Sequence, residues 1–418
     1  MAAWQIGGKA ERFRWMFGLL VVVARMPGSA DAGDWPQILG PERNGKATKE
    51  KLANAWPTEG PEIVWKQQVG SGYAGVAVAD GLVVLWHRQG DESVAEGMRG
   101  VTGEKVWRAS YPTTYKSLIA PDDGPRCVPL IHRDRVYLVG AQGDLHCVTL
   151  KEGRKVWDVD AFQKFAAPEG YFGAGSTPIV EGDRLIMNVG GRGAGIGAFS
   201  LVDGSTVWKG TEEEASYSAP TKYVDAGKSR VVFATRYQTI AIDPQTGKVF
   251  WRYPFGMRGP SVNAATPIVI DGHLFLSASY GVGARWLRLS KDKVDEVWES
   301  NDVMSSQYAT CVEHQGVLYG IDGRQDQGTA RLRAFDPRSQ KIYWTEENFG
   351  TGNLILVDGK LLILKTDGEL VMALATPEGY KPLATAKVLE TTAQALPALA
   401  DGVLYVRDTQ SLKALRLP

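Results

Sequence analysis

Residues 241–251 read Ala-Ile-Asp-Pro-Gln-Thr-Gly-Lys-Val-Phe-Trp, and they are the clearest indication of how the chain folds. It predicts a strand, a tight turn and a second strand. Pro244 presets φ for the turn, and Gly247 supplies the positive φ that closes a hairpin. The second strand ends on Trp251, whose large aromatic ring we expect to be buried.

The same sequence motif recurs in imperfect copies along most of the chain. The copies that end on a tryptophan are residues 102–107, 152–157, 203–208, 295–298 and 336–344, and a copy without tryptophan is residues 377–380. Upstream, residues 62–65 form a tryptophan strand with no turn before it. The tryptophans predicted to dock between repeats are Trp65, Trp107, Trp157, Trp208, Trp251, Trp298 and Trp344. They lie 42 to 51 residues apart, and this spacing indicates a repeat array.

Each repeat contains four short strands, because further apolar segments and an Asp-Gly turn precede the tryptophan strand. Four strands in ~45 residues is the size of a propeller blade. We therefore predict an all-β fold, an eight-bladed β-propeller of four-stranded antiparallel blades over residues 62–418. Six blades end on a tryptophan, and a seventh ends near residues 384–388 without one.

The eighth blade has only three predicted strands, residues 395–399, 402–407 and 411–417. The unpaired strand around Trp65 supplies the fourth, so strands from both ends of the chain close the ring and remove exposed edges. Seven blades is the alternative, if the repeat without tryptophan is only a long loop.

The N-terminus has the pattern of a secretory signal peptide. A basic segment precedes the apolar residues 15–24, a run too short to span a bilayer, and Ala30 and Ala32 offer a cleavage site. We predict a signal peptide at residues 1–32, an irregular leader at residues 33–61, and export to the periplasm or the extracellular space. A frayed N-terminal helix is the alternative. The mature chain shows no transmembrane pattern, and we expect a monomer.

Composition argues against several classes of function. The 47 basic and 47 acidic residues balance, and no basic arm is visible, so nothing indicates a nucleic-acid partner. The five histidines stand at no metal-ligand spacing and no catalytic motif stands out, so we assign no catalytic or metal-binding residue. Residues 212–214, three glutamates, are predicted to be a solvated loop. The glycine-rich residues 190–197 are predicted to be a hairpin, since no helix follows them to bind a phosphate.

The three cysteines form no metal or haem motif. Cys127 and Cys147 fall in one repeat and could pair in an oxidising compartment. The alternative is that both, together with Cys311, are small buried hydrophobic side chains.

A comparison across the repeats selects the candidate binding residues. Aligned on the repeat turn, the first strands begin with Tyr73, Arg126, Gly175, Tyr217, Ala264, Tyr308, Thr351 and Gln394. First strands line the central channel of a propeller, so these residues should surround one of its mouths. The residues predicted to bind a ligand or partner are Tyr73, Arg126, Tyr217, Asn263, Gln307, Tyr308 and Asn353. Polar and aromatic groups of this kind suit a planar or anionic ligand or a peptide. The alternative is that they fill the channel and satisfy one another.

The repeated phrase resembles the tryptophan-docking repeat of the pyrroloquinoline-quinone (PQQ) enzymes and their relatives. Residues 242–251 and 101–107 carry the resemblance best, and its pattern extends over residues 60–418. Residues 34–37 with 40–45 resemble the leader of exported bacterial members. The resemblance implies an eight-bladed, quinoprotein-like propeller.

Two branches of that family imply different functions. The quinoprotein alcohol dehydrogenases bind PQQ with calcium over a tryptophan floor and typically carry an adjacent cysteine pair, whereas this chain has no Cys-Cys and no insertion for a calcium site. The branch with the outer-membrane barrel-assembly lipoprotein uses the ring as a docking platform, but this chain lacks the lipobox cysteine. We therefore expect a binding or scaffold module for a protein, small-molecule or glycan partner, with no cofactor assigned. The alternatives are a PQQ- and calcium-dependent alcohol or sugar dehydrogenase and a glycan- or polymer-binding propeller.

Overall fold

The computed structural model describes residues 1–3, 33–117, 119–259 and 261–418. The signal peptide expected at residues 1–32 therefore lies outside the described residues, except for its first three. The described residues form eight sheets of four strands, one of which gains a short fifth strand, arranged as an eight-bladed β-propeller. This confirms the predicted fold, with eight blades and not seven.

The first half of the ring contains blades 1 to 4. Before them come β1 (Lys46–Ala47) and β2 (Glu62–Gln68). Blade 1 is β3 (Ala77–Ala79), β4 (Leu82–Gln89), β5 (Glu92–Arg99) and β6 (Lys105–Pro112). Blade 2 is β7 (Leu130–His132), β8 (Arg135–Val139), β9 (Asp144–Thr149) and β10 (Lys155–Asp160), followed by helix α1 (Ala161–Phe165). Blade 3 is β11 (Ile179–Glu181), β12 (Arg184–Gly191), β13 (Ala194–Ser200) and β14 (Thr206–Gly210). Blade 4 is β15 (Thr221–Asp225), β16 (Lys228–Ala234), β17 (Gln238–Ile242) and β18 (Val249–Pro254).

The second half contains blades 5 to 8. Blade 5 is β19 (Ile268–Ile270), β20 (His273–Ala278), β21 (Gly283–Leu289) and β22 (Val294–Ser300). Blade 6 is β23 (Val312–His314), β24 (Val317–Asp322), β25 (Arg331–Phe335) and β26 (Ile342–Glu346). Blade 7 is β27 (Gly352–Val357), β28 (Lys360–Lys365), β29 (Glu369–Leu374) and β30 (Pro382–Lys387). Blade 8 is β31 (Ala398–Ala400), β32 (Val403–Arg407) and β33 (Ser411–Arg416), completed by β2.

The ring closes through blade 8. Strand β2 pairs with β33 in an antiparallel ladder in which Trp65 lies opposite Ala414. Blade 8 therefore combines three C-terminal strands with one N-terminal strand, as the sequence predicted. The glycine-rich residues 190–197 form the hairpin between β12 and β13, with Gly191 opposite Ala194, which is also as predicted.

Every outermost strand carries a β-bulge one residue before its docking position. The bulged residues are Val64, Val106, Val156, Val207, Phe250, Val297, Tyr343 and Leu383. Blade 7 keeps the bulge although its docking position holds Ala384. A bulge bends the strand and re-aims the side chain that follows it. The bulges also interrupt the flat outer edges with which another chain could pair.

The docking tryptophans join neighbouring blades. Six indole N–H groups donate to a backbone carbonyl in a turn of the following blade, for example Trp107 to Leu150 at 2.8 Å and Trp298 to Pro337 at 2.7 Å. Gly247 lies against the ring of Trp208, and a Cβ at this glycine would come within 2.5 Å of the indole. The turn glycine is therefore needed both for its φ of +73° and for this ring contact.

Trp251 is bonded differently because the corresponding turn of blade 5 is shorter. Four residues separate β21 from β22, whereas six separate β17 from β18. The indole N–H of Trp251 donates instead to the hydroxyl of Tyr223, on the inner strand of its own blade, at 3.0 Å.

The leader, residues 33–61, lies across the mouth of the channel where the inner strands end. Trp35 and Val78 of blade 1 exchange two backbone hydrogen bonds of 2.8 and 2.9 Å. Strand β1 pairs in parallel with β27 of blade 7. The carboxylate of Glu50 accepts two successive backbone N–H groups of blade 8, beginning at Asp401, at 2.9 Å each. The leader therefore covers this mouth.

Arg43 anchors the leader and is only 4% exposed. Its Nε donates to the carbonyl of Pro220 at 2.8 Å. Its Nη1 donates to the carbonyl of Pro178 at 3.0 Å and to Oε1 of Gln37 at 2.8 Å. Its Nη2 donates to the carbonyl of Thr177 at 3.1 Å. Burial lowers the pKa of Arg43 to about 9, because the charged form is desolvated.

The three cysteines are buried free thiols. Cys127 and Cys147 therefore do not form a disulfide. Both are small buried hydrophobic side chains, which is the alternative given in the sequence analysis. Burial raises the pKa of each of the three thiols to about 12, so none is a reactive thiolate near neutral pH. In the part of the chain that the structure describes, no helix is both long and apolar enough to cross a bilayer.

His87 is a fully buried titratable group in blade 1. Its Nδ1 accepts the backbone N–H of Gly70 at 2.7 Å, and its Nε2 lies 3.7 Å from Oε2 of Glu96. Burial, with smaller contributions from Arg407, Lys105 and Arg108, lowers the pKa of His87 to about 3. The folded protein therefore holds this imidazole neutral at pH values where an unfolded chain protonates it.

We expect His87→Asn to flatten the acid limb of the stability profile. Between pH 6.5 and about pH 3 only the unfolded state binds a proton at His87. The free energy of unfolding therefore decreases as the pH is lowered, by at most about 1.4 kcal/mol per pH unit. The amide oxygen of asparagine can still accept from Gly70, but asparagine does not titrate. Urea unfolding at pH 4.5 and 7 measures the slope, with His314→Asn, at a less buried site, as control. An unchanged slope in His87→Asn would contradict this origin.

Candidate binding mouth

The eight residues aligned at the start of the first strands lie at the mouth opposite the leader. Seven of them stand four residues before the regular inner strand of their blade, and Thr351 stands directly before β27. We call this opening the ring mouth and define it by Tyr73, Arg126, Gly175, Tyr217, Ala264, Tyr308, Thr351 and Gln394.

Arg126 occupies one side of the ring mouth between two aromatic rings. Its guanidinium carbon lies 5.7 Å from the ring centre of Tyr73 and 5.9 Å from that of Phe172, within the range of cation–π attraction. Its Nη1 donates to the carbonyl of Gly124 at 3.0 Å, and its Nη2 donates to the carbonyl of Asp122 at 2.9 Å. The side chain is therefore held in one orientation while remaining half-buried.

Tyr217 lies beside this cluster. Its hydroxyl oxygen accepts the backbone N–H of Phe172 at 2.7 Å, and the two rings meet edge to face with centres 5.4 Å apart. Gly175 leaves room for Tyr217, since a Cβ at position 175 would lie 2.2 Å from its ring. Burial raises the pKa of Tyr217 to about 12, so the hydroxyl keeps its proton at neutral pH.

Tyr308 and Gln307 organise the other side of the ring mouth. The hydroxyl of Tyr308 donates to Oε1 of Gln325 at 2.9 Å. Gln307 accepts the backbone N–H of Gln325 at 2.8 Å and donates to the hydroxyl of Tyr280 and to Asp326, each at 3.2 Å. The connection between β24 and β25 is therefore pinned over the mouth by two of the sequence-predicted residues.

Asn263 and Asn353 have a structural role, since each side chain is only 3% exposed. The amide of Asn263 donates to the carbonyls of Thr235 at 2.7 Å and Phe255 at 3.2 Å. The amide of Asn353 donates to the carbonyl of Gln394 at 3.1 Å. Both side chains brace the backbone around the mouth and are not open to a ligand.

Sequence reasoning missed three residues at this mouth, Phe172, Tyr280 and Arg324, because they lie in connections outside the repeated phrase. The guanidinium of Arg324 lies 4.4 Å from the ring centre of Tyr280 and pairs with Asp326, with Nη2 2.5 Å from Oδ2. Tyr280 and Arg324 line a cleft of about 530 Å³ between blades 5 and 6. The available signal was loop length, since eight residues join β24 to β25 whereas three join β16 to β17.

The prediction of a solvated acidic loop at residues 212–214 is wrong for Glu213. This side chain is 9% exposed, and its Oε1 lies 2.9 Å from Nε of Arg252. Burial raises its pKa, but hydrogen bonds from Thr211 and Arg252 outweigh burial, and the net pKa is lowered. A run of like charges does not reveal that one of its members turns inward towards a cation 39 residues away.

The fold and the docking tryptophans define the class of this protein as a PQQ-repeat propeller. The chain belongs to the family described as outer membrane protein assembly factor BamB, whose model matches residues 90–346. No curated protein sequence matches the chain.

Solved structures share the fold at low identity. BamB from Moraxella catarrhalis is 15% identical with a TM-score of 0.62, and the match covers 85% of this chain and 100% of that chain. A quinohemoprotein alcohol dehydrogenase from Comamonas testosteroni is 15% identical with a TM-score of 0.66, covering 93% and 82%. A europium-containing methanol dehydrogenase is 11% identical with a TM-score of 0.66, covering 90% of both chains. At these identities the likeness shows the fold alone.

The donor set of the ring mouth does not fit a PQQ–calcium pair. Calcium takes about six to eight oxygen ligands, with carboxylates among them. Over the described residues, no three His, Cys, Asp or Glu side chains come together in a way that could hold a metal ion. At this mouth Asp122 already accepts two backbone N–H groups, and Asp326 already pairs with Arg324.

Proposed function

We propose that this protein is an exported binding and scaffold module whose partner docks at the ring mouth. The observation that carries the proposal is the asymmetry of the channel. The leader covers one mouth through contacts to blades 1, 7 and 8 and through the buried Arg43. The ring mouth instead presents half-buried tyrosines and a guanidinium.

A protein partner is the class that the family supports, since its description is that of an assembly factor for outer membrane proteins. An assembly factor acts through protein contacts in the cell envelope, which agrees with the signal-peptide pattern of residues 1–32. Polar aromatic residues beside an arginine are typical of the anchors of protein interfaces.

Site-specific photo-cross-linking tests the proposal. We would place p-benzoyl-phenylalanine at Tyr217 or Tyr308 in the full chain, and at Val207 on an outer strand, where the native side chain is 44% exposed. We expect a discrete cross-linked protein from the two mouth positions and none from Val207. Equal cross-linking from all three positions would overturn the proposal. Saturable PQQ binding with calcium-dependent turnover of an alcohol would replace it with the dehydrogenase function.

We expect the double variant Tyr217→Ala/Tyr308→Ala to weaken partner binding at least about tenfold, as loss of interface anchors does. Its free energy of unfolding should fall by only about 1–2 kcal/mol, since both side chains are half-buried. Affinity for the cross-linked partner and urea unfolding give the two readouts. Tyr343→Ala, a half-buried tyrosine on the outer strand of blade 6, is the matched control. A large stability loss with unchanged affinity would mark the pair as packing residues.

A further inference from the structure

Arg126 differs in its charge balance from two other arginines near the ring mouth, Arg324 and Arg236, the second of which lines a cleft together with Tyr217. Arg324 pairs with Asp326, and Arg236 lies 3.9 Å from Glu214. Within the described ranges, Arg126 has no carboxylate within ion-pair distance. Two of its five N–H donors bond to backbone carbonyls, so three remain for a ligand.

The neighbouring carboxylates are already committed elsewhere. The two oxygens of Asp122 accept the backbone N–H groups of Gly72 and Gly124, both at 2.8 Å. Asp123 accepts the backbone N–H of Ser117 at 2.7 Å and lies 3.5 Å from the ammonium of Lys116. The carboxylates of this loop therefore bond to backbone N–H groups or lie near Lys116, and neither lies within ion-pair distance of Arg126.

The groups around Arg126 add a hydrogen-bond donor and apolar walls. The hydroxyl oxygen of Tyr217 already accepts the N–H of Phe172, so its proton is left to donate. Tyr73 and Phe172 flank the guanidinium with their rings. A planar anion that receives hydrogen bonds from Arg126 and Tyr217 and packs an apolar group against Tyr73 or Phe172 would match all three features.

We propose that Arg126, Tyr217, Tyr73 and Phe172 form a pocket that binds a carboxylate attached to an apolar or aromatic group. This inference rests on the proposed function, in which the ring mouth is the docking site. The carboxylate matches the guanidinium fork in shape and charge, and a charge-assisted bond of this kind is about twice as strong as a neutral one. The carboxylate comes either from the C-terminus of a partner peptide or from a free aromatic acid.

Fluorine NMR of the purified protein tests the pocket with 4-fluorobenzoate as probe and the neutral 4-fluorobenzamide as its isostere. We expect saturable broadening with the acid and at least about tenfold weaker binding of the amide, the discrimination expected for a lost charge-assisted pair. Arg126→Gln should weaken binding of the acid at least about tenfold, and Tyr217→Phe by a smaller factor. Arg108→Gln, which alters an arginine on the outer strand of blade 1 that pairs with Glu92, should leave the affinity unchanged. Equal binding of acid and amide, or an unaffected Arg126→Gln, overturns the inference.

Two further measurements are needed. One distinguishes a peptide C-terminus from a free aromatic acid as the source of the carboxylate, and the other distinguishes failure of the pocket from failure of the scaffold function. A short peptide ending in phenylalanine, compared as free acid and C-terminal amide, identifies a peptide C-terminus if the free acid binds more tightly than 4-fluorobenzoate. Weaker binding of the free-acid peptide assigns the pocket to small aromatic acids. Cross-linking from Tyr308 without binding of any carboxylate would refute the pocket but keep the scaffold function. Carboxylate binding with no cross-linked protein would refute the scaffold function instead.

Discussion

Trp251→Ala is expected to lower the free energy of unfolding by about 3–5 kcal/mol, the range for removal of a large buried aromatic side chain. Trp251 is 5% exposed and packs at the interface of blades 4 and 5 with Tyr223 and Leu274. The substitution removes that contact area and leaves the hydroxyl of Tyr223 without its donor. Denaturant unfolding followed by circular dichroism measures the change without relying on the lost fluorophore.

Two other substitutions calibrate this result. Trp344 is half-buried, so Trp344→Ala should cost less than Trp251→Ala. Val207 is a bulged outer-strand residue that is 44% exposed, and Val207→Ala should change stability by no more than about 0.5 kcal/mol. A near-neutral Trp251→Ala would show that the docking tryptophans do not hold the blades together.

Arg43→Met is expected to destabilise the protein by about 3–5 kcal/mol, as loss of a buried charged hydrogen-bonding group does. Methionine keeps most of the aliphatic volume of the side chain. It leaves the buried carbonyls of Pro178 and Pro220 without a hydrogen-bond donor, and each loss costs about 1–3 kcal/mol. Burial desolvates the charge of Arg43 and lowers its pKa to about 9. Because Arg43→Met removes this charge, it also removes the desolvation cost, which offsets part of the loss.

The matched control lies in the same leader. Lys51 is 86% exposed and pairs with Asp358 at 2.8 Å, so Lys51→Met should cost no more than about 1 kcal/mol. Limited proteolysis gives a second readout, because release of the leader should make residues 33–61 cleavable in Arg43→Met while the blades stay resistant. Equal protection in both variants would contradict the role of Arg43 as the anchor.

The blade count and the ring closure could be predicted because their signal is local and repeated. The turn before Trp251 recurs with a spacing close to one blade, and Trp65 stood alone without a repeat of its own. An error in any one copy, such as the missing tryptophan at Ala384, does not change the period. The positions at the ring mouth come from the same alignment, since seven of the eight residues precede their inner strand by the same four residues.

What each mouth residue does was not predictable in the same way. Asn263 and Tyr217 look alike in the alignment, as polar residues near the start of a first strand, yet one is a buried brace and the other is half-buried at the mouth. Phe172 and Arg324 come from connections that share no repeat. Their positions depend on how long loops fold back, and local turn chemistry carries no information on that.

An eight-bladed propeller closed by strands from both ends could be derived from the amino-acid pattern alone, because turn geometry and strand alternation act over a few residues and recur in every blade. Which mouth the leader leaves uncovered, and which of the described arginines lacks an ion pair, became apparent from the folded chain. Arg43 meets Pro220 across 177 residues of chain, and Arg126 has no ion pair among the described residues, since the carboxylate of Asp122 accepts the backbone N–H of Gly72 instead. Such contacts depend on which distant side chains are buried together, and burial is a property of the assembled ring.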